Sequence, residues 1–139
     1  MKSYKFLEDI AIADAAFEAK GDNLEEVFEA SADAVFETSA NVKSVGNSFV
    51  HKFELENEDI EDLLYEFLEE IVYIKDKDYV VFSKCAVSIK KNGKYGLSAK
   101  LYGEKIDSEK QELKVDVKAV TMHKFELKKT DSGYFARVV

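Results

Sequence analysis

Proline and tryptophan are absent from the chain, cysteine occurs once and histidine twice. Without proline, the turns must be made by Gly, Asn, Asp and Ser. The single cysteine, Cys85, cannot close an internal disulfide, which agrees with a reducing compartment. One Cys and two His cannot form a spaced zinc-ligand set. No apolar run approaches the roughly 20 residues of a membrane span, and Asp9 and Asp14 interrupt any signal-type apolar stretch near the N-terminus. The expected location is therefore cytoplasmic, with no membrane partner. A Gly-rich phosphate loop and a nucleophile elbow are both missing, so the pattern contains no visible enzyme machinery. Basic side chains are also short, at 20 against 28 acids, for a net charge of −8. That balance disfavours non-specific attraction to phosphate backbones or anionic membranes, so any nucleic-acid contact has to be local or indirect.

What is present suits one domain. A chain of 139 residues, 46 % apolar with ten Phe and seven Tyr, can bury a sizeable core. The strongest periodicity runs from Asn57 to Asp76. Ile60, Leu63, Leu64, Phe67, Leu68, Ile71 and Ile74 recur at helical spacing over about five turns, while Glu61, Asp62, Glu66, Glu69 and Glu70 fall mostly on the other side. Asn57 is placed to accept a backbone N–H at the start, and the nearby acids suit the positive end of the macrodipole. Upstream, Ile10 to Ala19 alternates as a strand and Gly21-Asp22 turns the chain. Asn23 with Glu26 forms a reciprocal cap for a helix from Leu24 to Glu37, whose apolar stripe is narrow and rich in alanine.

Residues 41–48 read as a loop, and Phe49, His51, Phe53 and Leu55 alternate as a strand. Tyr79 to Lys90 and Tyr95 to Tyr102 form a hairpin about Asn92-Gly93. A turn near Gly103-Glu104 and a charged loop from Asp107 to Lys110 precede a strand from Leu113 to Leu127. Asp131-Ser132-Gly133 turns into a last strand, Tyr134 to Val139. The order implies an α+β fold with two helices packed on one face of a mixed, mostly antiparallel sheet.

Among single residues, Asp14 stands out, because a carboxylate inside a strand competes for backbone hydrogen bonds and brings a costly charge to a half-buried surface. The bland reading is an exposed edge aspartate; the sharper one is a hard-cation site with oxygen from Asp59 or the chain's end. His51 shares a face with Phe49, Phe53 and Leu55 and reads as a core or sheet-edge imidazole rather than a base. The same holds for His123 beside Thr121 and Phe125. Cys85 alternates with Val81, Val87 and Ile89 and reads as a small buried hydrophobe. By pattern alone Lys118, between Val117 and Ala119, is a surface lysine.

Several short stretches recur in a family's order. Phe6-Leu7-Glu8, Ala13-Asp14, Ala19-Lys20-Gly21 and Leu24-Glu25-Glu26-Val27-Phe28 resemble the opening of the archease family. Asp59 to Glu70, Gly103-Glu104 and Val117-Lys118-Ala119-Val120-Thr121-Met122-His123 resemble its later motifs, so the likeness spans nearly the whole chain. It implies the archease fold and a non-catalytic role as activator of the RtcB-type RNA ligase. That ligase joins a 2′,3′-cyclic phosphate or 3′-phosphate end to a 5′-hydroxyl in tRNA exon ligation. The helper would promote its guanylylation and multiple turnover, with tRNA met only through the ligase.

The resemblance further implies a divalent cation, calcium in the family, held by Asp14 and the C-terminal end of the chain. Here the family's C-terminal Asp has no counterpart, which leaves the carboxylate at Val139 and, as another oxygen donor, Asp59. Lys118 falls on the lysine tied to ligase activation, and Gln111 stands near where many members carry His. The competing class is a general chaperone-like or protein-interaction module without ligase specificity. A metal-dependent hydrolase would need a water-activating cluster that the sequence does not show.

Overall fold

Asn23 opens the first helix of the computed structural model, α1 (Leu24–Ser39). The structure describes residues 1–7, 16–107, 111, 125–131 and 133–138. Asn23 accepts the Glu26 N–H at 2.8 Å and Glu26 accepts the Asp22 N–H at 3.1 Å, so the reciprocal cap forms, its return bond one residue ahead of the cap. The described strands lie in two sheets. One has the order β1 (Ser3–Leu7), β2 (Ala16–Gly21), β7 (Gly133–Val138), β6 (Glu126–Thr130); the other has β3 (Phe49–Asn57), β5 (Lys94–Lys105), β4 (Val80–Asn92). Every pairing in both is antiparallel.

The α+β class with two helices on antiparallel sheet stands, but the described strands are divided between two sheets, and α1 contacts both of them. It lies against β4 on one side and against β1, β2 and β7 on the other. This explains its alanines. Successive residues turn about 100° around a helix, so Ala30 and Ala32 point about 200° apart, yet both have no solvent exposure. The expected narrow stripe is in fact burial on opposite sides. Buried hydroxyls do not break it, because Ser31 donates to the Val27 carbonyl at 2.8 Å and Ser39 to that of Val35 at 3.2 Å.

The second helix, α2 (Ile60–Asp78), buries Leu63, Leu64, Phe67, Leu68, Ile71 and Ile74, the apolar face read from its spacing. Its start is two residues later than expected. Asn57 ends β3 opposite Tyr95, and its side chain accepts the Asp59 N–H at 2.9 Å and donates to Glu66 at 2.6 Å. Asp59 is the cap, accepting the Glu61 N–H at 2.9 Å. Phe28 of α1 and Phe67 of α2 meet at 5.5 Å between ring centres, which joins the two helices in one core.

The hairpin is as expected, with β4 and β5 in continuous register around Gly93 at a φ of 80°, a conformation glycine enters without penalty. The expected turn at Gly103-Glu104 is instead still strand, the last part of β5. A register shift between Phe82 and Lys84 presses the strands together there, and a methyl on Gly103 would run into the Val81 carbonyl oxygen. The first strand, β1, has no strong alternation and is absent from the sequence reading. Among the described strands it lies at an edge, where Tyr4 and Phe6 remain exposed, with Phe6 edge-on to Phe17 at 6.4 Å. Of the strand expected from Ile10 to Ala19, the described part is β2; of that expected from Leu113 to Leu127, it is the end leading into β6. Residues 8–15 and 112–124 lie outside the described residues.

Two stability predictions follow from this packing. Ala32→Leu should overfill the space between the sheets and lower the unfolding free energy by about 1–3 kcal/mol, read as a reduced urea midpoint. Asp59→Ala should cost about 1 kcal/mol in the same titration, while Asp59→Asn, which caps equally well, should cost almost nothing.

Candidate functional site

Of the residues singled out as a site, Asp14, Lys118 and Val139 lie outside the described residues, and so does His123. The structure does describe what flanks them. β2 begins at Ala16, two positions after Asp14, and β7 ends at Val138, next to Val139. Across this antiparallel pair Phe17 faces Val138. Phe17, three positions after Asp14, and Val138, next to the last residue, are thus neighbours in one sheet. Both are buried, Phe17 at 4 % exposure and Val138 at 3 %, so the pair is fixed by the core.

The segment carrying Lys118 is flanked by two anchored residues. Gln111 is buried at 4 % exposure, with every polar atom of its amide engaged. It accepts the Asp107 N–H at 3.0 Å and donates to Glu104 at 2.9 Å and to the Lys105 carbonyl at 2.7 Å. Glu104 also accepts the Gly46 N–H at 3.3 Å, so one carboxylate ties the end of β5 to the loop after α1. On the other flank Phe125 packs edge-on against Tyr65 of α2 at 5.6 Å. The Gly-Glu pair thus has a physical reading, in which glycine permits the close approach of β4 and glutamate holds Gln111. Sequence reasoning missed it. The available signal was an acid following glycine inside an otherwise unbroken run of strand-forming residues.

Asp59 is accounted for as the α2 cap. Among the described residues no group of three or more His, Cys, Asp or Glu is arranged to hold a metal ion, so Asp59 has no described partners of that kind. His51 matches the sheet-edge form of its reading, half-buried on β3, an outer strand of the described three. It stacks on Phe53 at 5.6 Å, and its Nε2 lies 3.8 Å from Glu70 of α2. Cys85 also matches. Burial pushes its thiol well above the ordinary range, and the Asp33 and Glu29 carboxylates add to this, with Lys2 opposing. A thiol so held is poorly nucleophilic. Asp33 itself is raised by burial, against the pull of Lys2, whose Nζ lies 3.1 Å away.

Other acids have found structural partners. Glu29 of α1 accepts the Val87 N–H of β4 at 3.0 Å, and Glu61 of α2 accepts the Leu127 N–H of β6, also at 3.0 Å, each strand lying at the edge of its sheet among the described residues. Among the described residues no helix is long and apolar enough to cross a membrane.

The sequence profile of the Archease protein family matches residues 4–139. Protein archease of Pyrococcus abyssi is 45 % identical over 134 residues, covering 96 % of this chain and 93 % of that protein. Protein archease of Methanothermobacter thermautotrophicus is 38 % identical over 140 residues, covering 100 % and 98 %. The solution structure of Methanobacterium thermoautotrophicum protein 1598 superposes with a TM-score of 0.85 at 38 % identity, over 97 % of this chain and 95 % of that one. The crystal structure of a Thermotoga maritima archease, described as a possible chaperone, superposes with a TM-score of 0.64 at 19 % identity, over 91 % and 89 %, a likeness of fold. With motifs, profile and architecture in agreement, the chain belongs to the archease family.

Proposed function

We propose that this chain is a non-enzymatic activator of an RtcB-type RNA ligase, promoting ligase guanylylation and multiple turnover in tRNA exon ligation. The observation that carries the reading is family membership over residues 4–139. Physical chemistry supports it. A domain of net charge −8 suits docking to a ligase whose own surface must be basic to hold RNA phosphates, and complementary charge of that kind speeds encounter. The tRNA is then reached through the ligase, in the cytoplasm.

In this reading Asp14 and the chain end at Val139 supply oxygens to a divalent cation, calcium by resemblance, with Asp59 as a further donor. Support comes from the facing of Phe17 and Val138, which ties the strands following Asp14 and preceding Val139 into one sheet. Lys118 acts on the ligase. The second reading, a chaperone-like module with many clients, is favoured by the description of the Thermotoga maritima relative as a possible chaperone. Affinity capture separates the two, since one ligase recovered supports the first and a mixture of unfolded proteins the second.

The direct test mixes the purified chain with ligase, GTP and Mn²⁺ and follows ligase–GMP formation, with the Pyrococcus abyssi relative in parallel. Acceleration is expected; none, with the relative active, would remove the idea. Lys118→Ala should slow guanylylation and leave calcium binding intact. Calcium at about 100 times its dissociation constant should stabilise the chain by about 2.7 kcal/mol, roughly 10 °C in Tm, and Asp14→Ala should abolish that shift.

A further inference from the structure

The net charge of the chain conceals a strong segregation. From Val80 to Lys105 the hairpin β4–β5 carries six lysines and one acid, Glu104, a local net of +5 that leaves −13 for the other 113 residues. Side chains alternate across a strand, so the register fixes which of these share a face. Lys52, Lys100 and Ala86 lie in one cross-strand row; Val50, Tyr102 and Lys84 form the row on one side of it, and Glu54, Ser98 and Ser88 the row on the other. This is the outer face of the three-stranded sheet, away from the buried side of Leu97 and Leu101.

At one end of the face Lys84 and Lys100 hold their ammonium groups 5.0 and 5.2 Å from the centre of the Tyr102 ring. Lys52 stands directly opposite Lys100. At the other end are Lys90 and, at the hairpin tip, Lys94, both exposed. Lys84 and Lys90 are six residues apart on one strand, about 20 Å. Between them the floor is Ala86, Ser88 and Ser98, small enough to leave a shallow depression of about 520 Å³. Two acids of β3 share this face, Glu54, which accepts from Ser98 at 3.4 Å, and Glu56, in the row of Gly96 and Lys90, so the clear path runs along β4 and β5.

We infer that this face binds the phosphate backbone of a single nucleic-acid strand, laid along the hairpin from Lys84 and Lys100 to Lys90. Charge and shape favour that occupant over a protein. Protein interfaces are depleted in lysine and rely on buried aromatic or aliphatic anchors, whereas here Tyr102 is already sandwiched between lysines and Val50 is the sole large aliphatic side chain exposed on the face. A flat, basic, small-floored sheet suits an extended phosphate backbone. The acid elsewhere does not cancel it, because salt screens charges beyond about 8 Å. The inference stands apart from the ligase reading, since a strand can bind here whether or not a ligase is activated.

The test uses the full chain and a fluorescein-labelled 20-nucleotide single strand, without ligase. Anisotropy titration should show binding that weakens about fiftyfold between 50 and 200 mM salt if four phosphates are neutralised. Replacing Lys52, Lys84, Lys90 and Lys100 with Gln should weaken it at least tenfold and flatten the salt slope, while Gln at Lys20, Lys43, Lys77 and Lys129 should not. In the unmutated chain the strand should protect Lys84, Lys90 and Lys100 from acetylation, a readout independent of how the variants fold. No measurable binding at 50 mM salt, equal affinity of the two variants, absent protection, or equally good competition by polyglutamate would each overturn the proposal.

Discussion

Everything in this fold depends on a helix that has sheet on both sides. Once α1 contacts both β4 and the β1–β2–β7 group, it can keep large side chains only where a gap exists, and the remaining positions must be small. Phe28 and Phe36 fill the gaps; Ala30, Ala32 and Ala34 set the spacing. Close packing leaves little slack for an added methylene, so the distance between the sheets is fixed by these alanines rather than by any loop. The same contact holds β2 against the core, and β2 in turn holds β7. The facing of Phe17 and Val138 is therefore a consequence of the helix packing.

The acid excess has a structural use that net charge hides. An edge strand exposes unpaired N–H groups and invites pairing with another chain. In this protein helix carboxylates occupy such groups, Glu29 on β4 and Glu61 on β6. A carboxylate accepting a backbone N–H makes a charge-assisted bond, stronger than a neutral one, and adds negative charge where a second strand would approach. Acids that read as a solvated helix face in the sequence thus seal the sheets to the helices.

Legibility followed the range of the interactions. The face of α2 was plain because Leu63, Leu64, Phe67 and Leu68 repeat within the helix itself, and the hairpin was plain because Asn92-Gly93 demands a positive φ. The helix start was misplaced to Asn57 because two neighbouring residues can both cap, and only the pairing of Asn57 with Tyr95 shows that the strand claims it. The turn wrongly placed at Gly103 came from reading glycine as a break, when a close approach of Val81 was the reason for it. Two-sided burial of α1 could not be read beyond its one narrow stripe, since alanine and serine suit a buried and an exposed helix position equally well. For the site, the family motifs pointed to Asp14, Lys118 and the end at Val139, with Asp59 added as another oxygen donor from its place in the sequence; the structure adds the cap role of Asp59 and the Glu104–Gln111 clamp, neither of which has a local pattern.

The two surfaces of interest belong to different sheets. The pairing that brings Phe17 to Val138 is in the four-stranded sheet, while the lysines around Tyr102 are on the outer face of the three-stranded one, with α1 in contact with both. A partner engaging the chain at the first would leave the second open. Charge reinforces the division, because a basic protein surface is drawn to the acidic remainder of the chain and repelled by the +5 hairpin, whereas a phosphate strand is drawn the opposite way. Under the proposed ligase reading, the acidic surface would meet the basic enzyme while the lysine face stays free for a nucleic-acid strand, without the two competing for the same side chains.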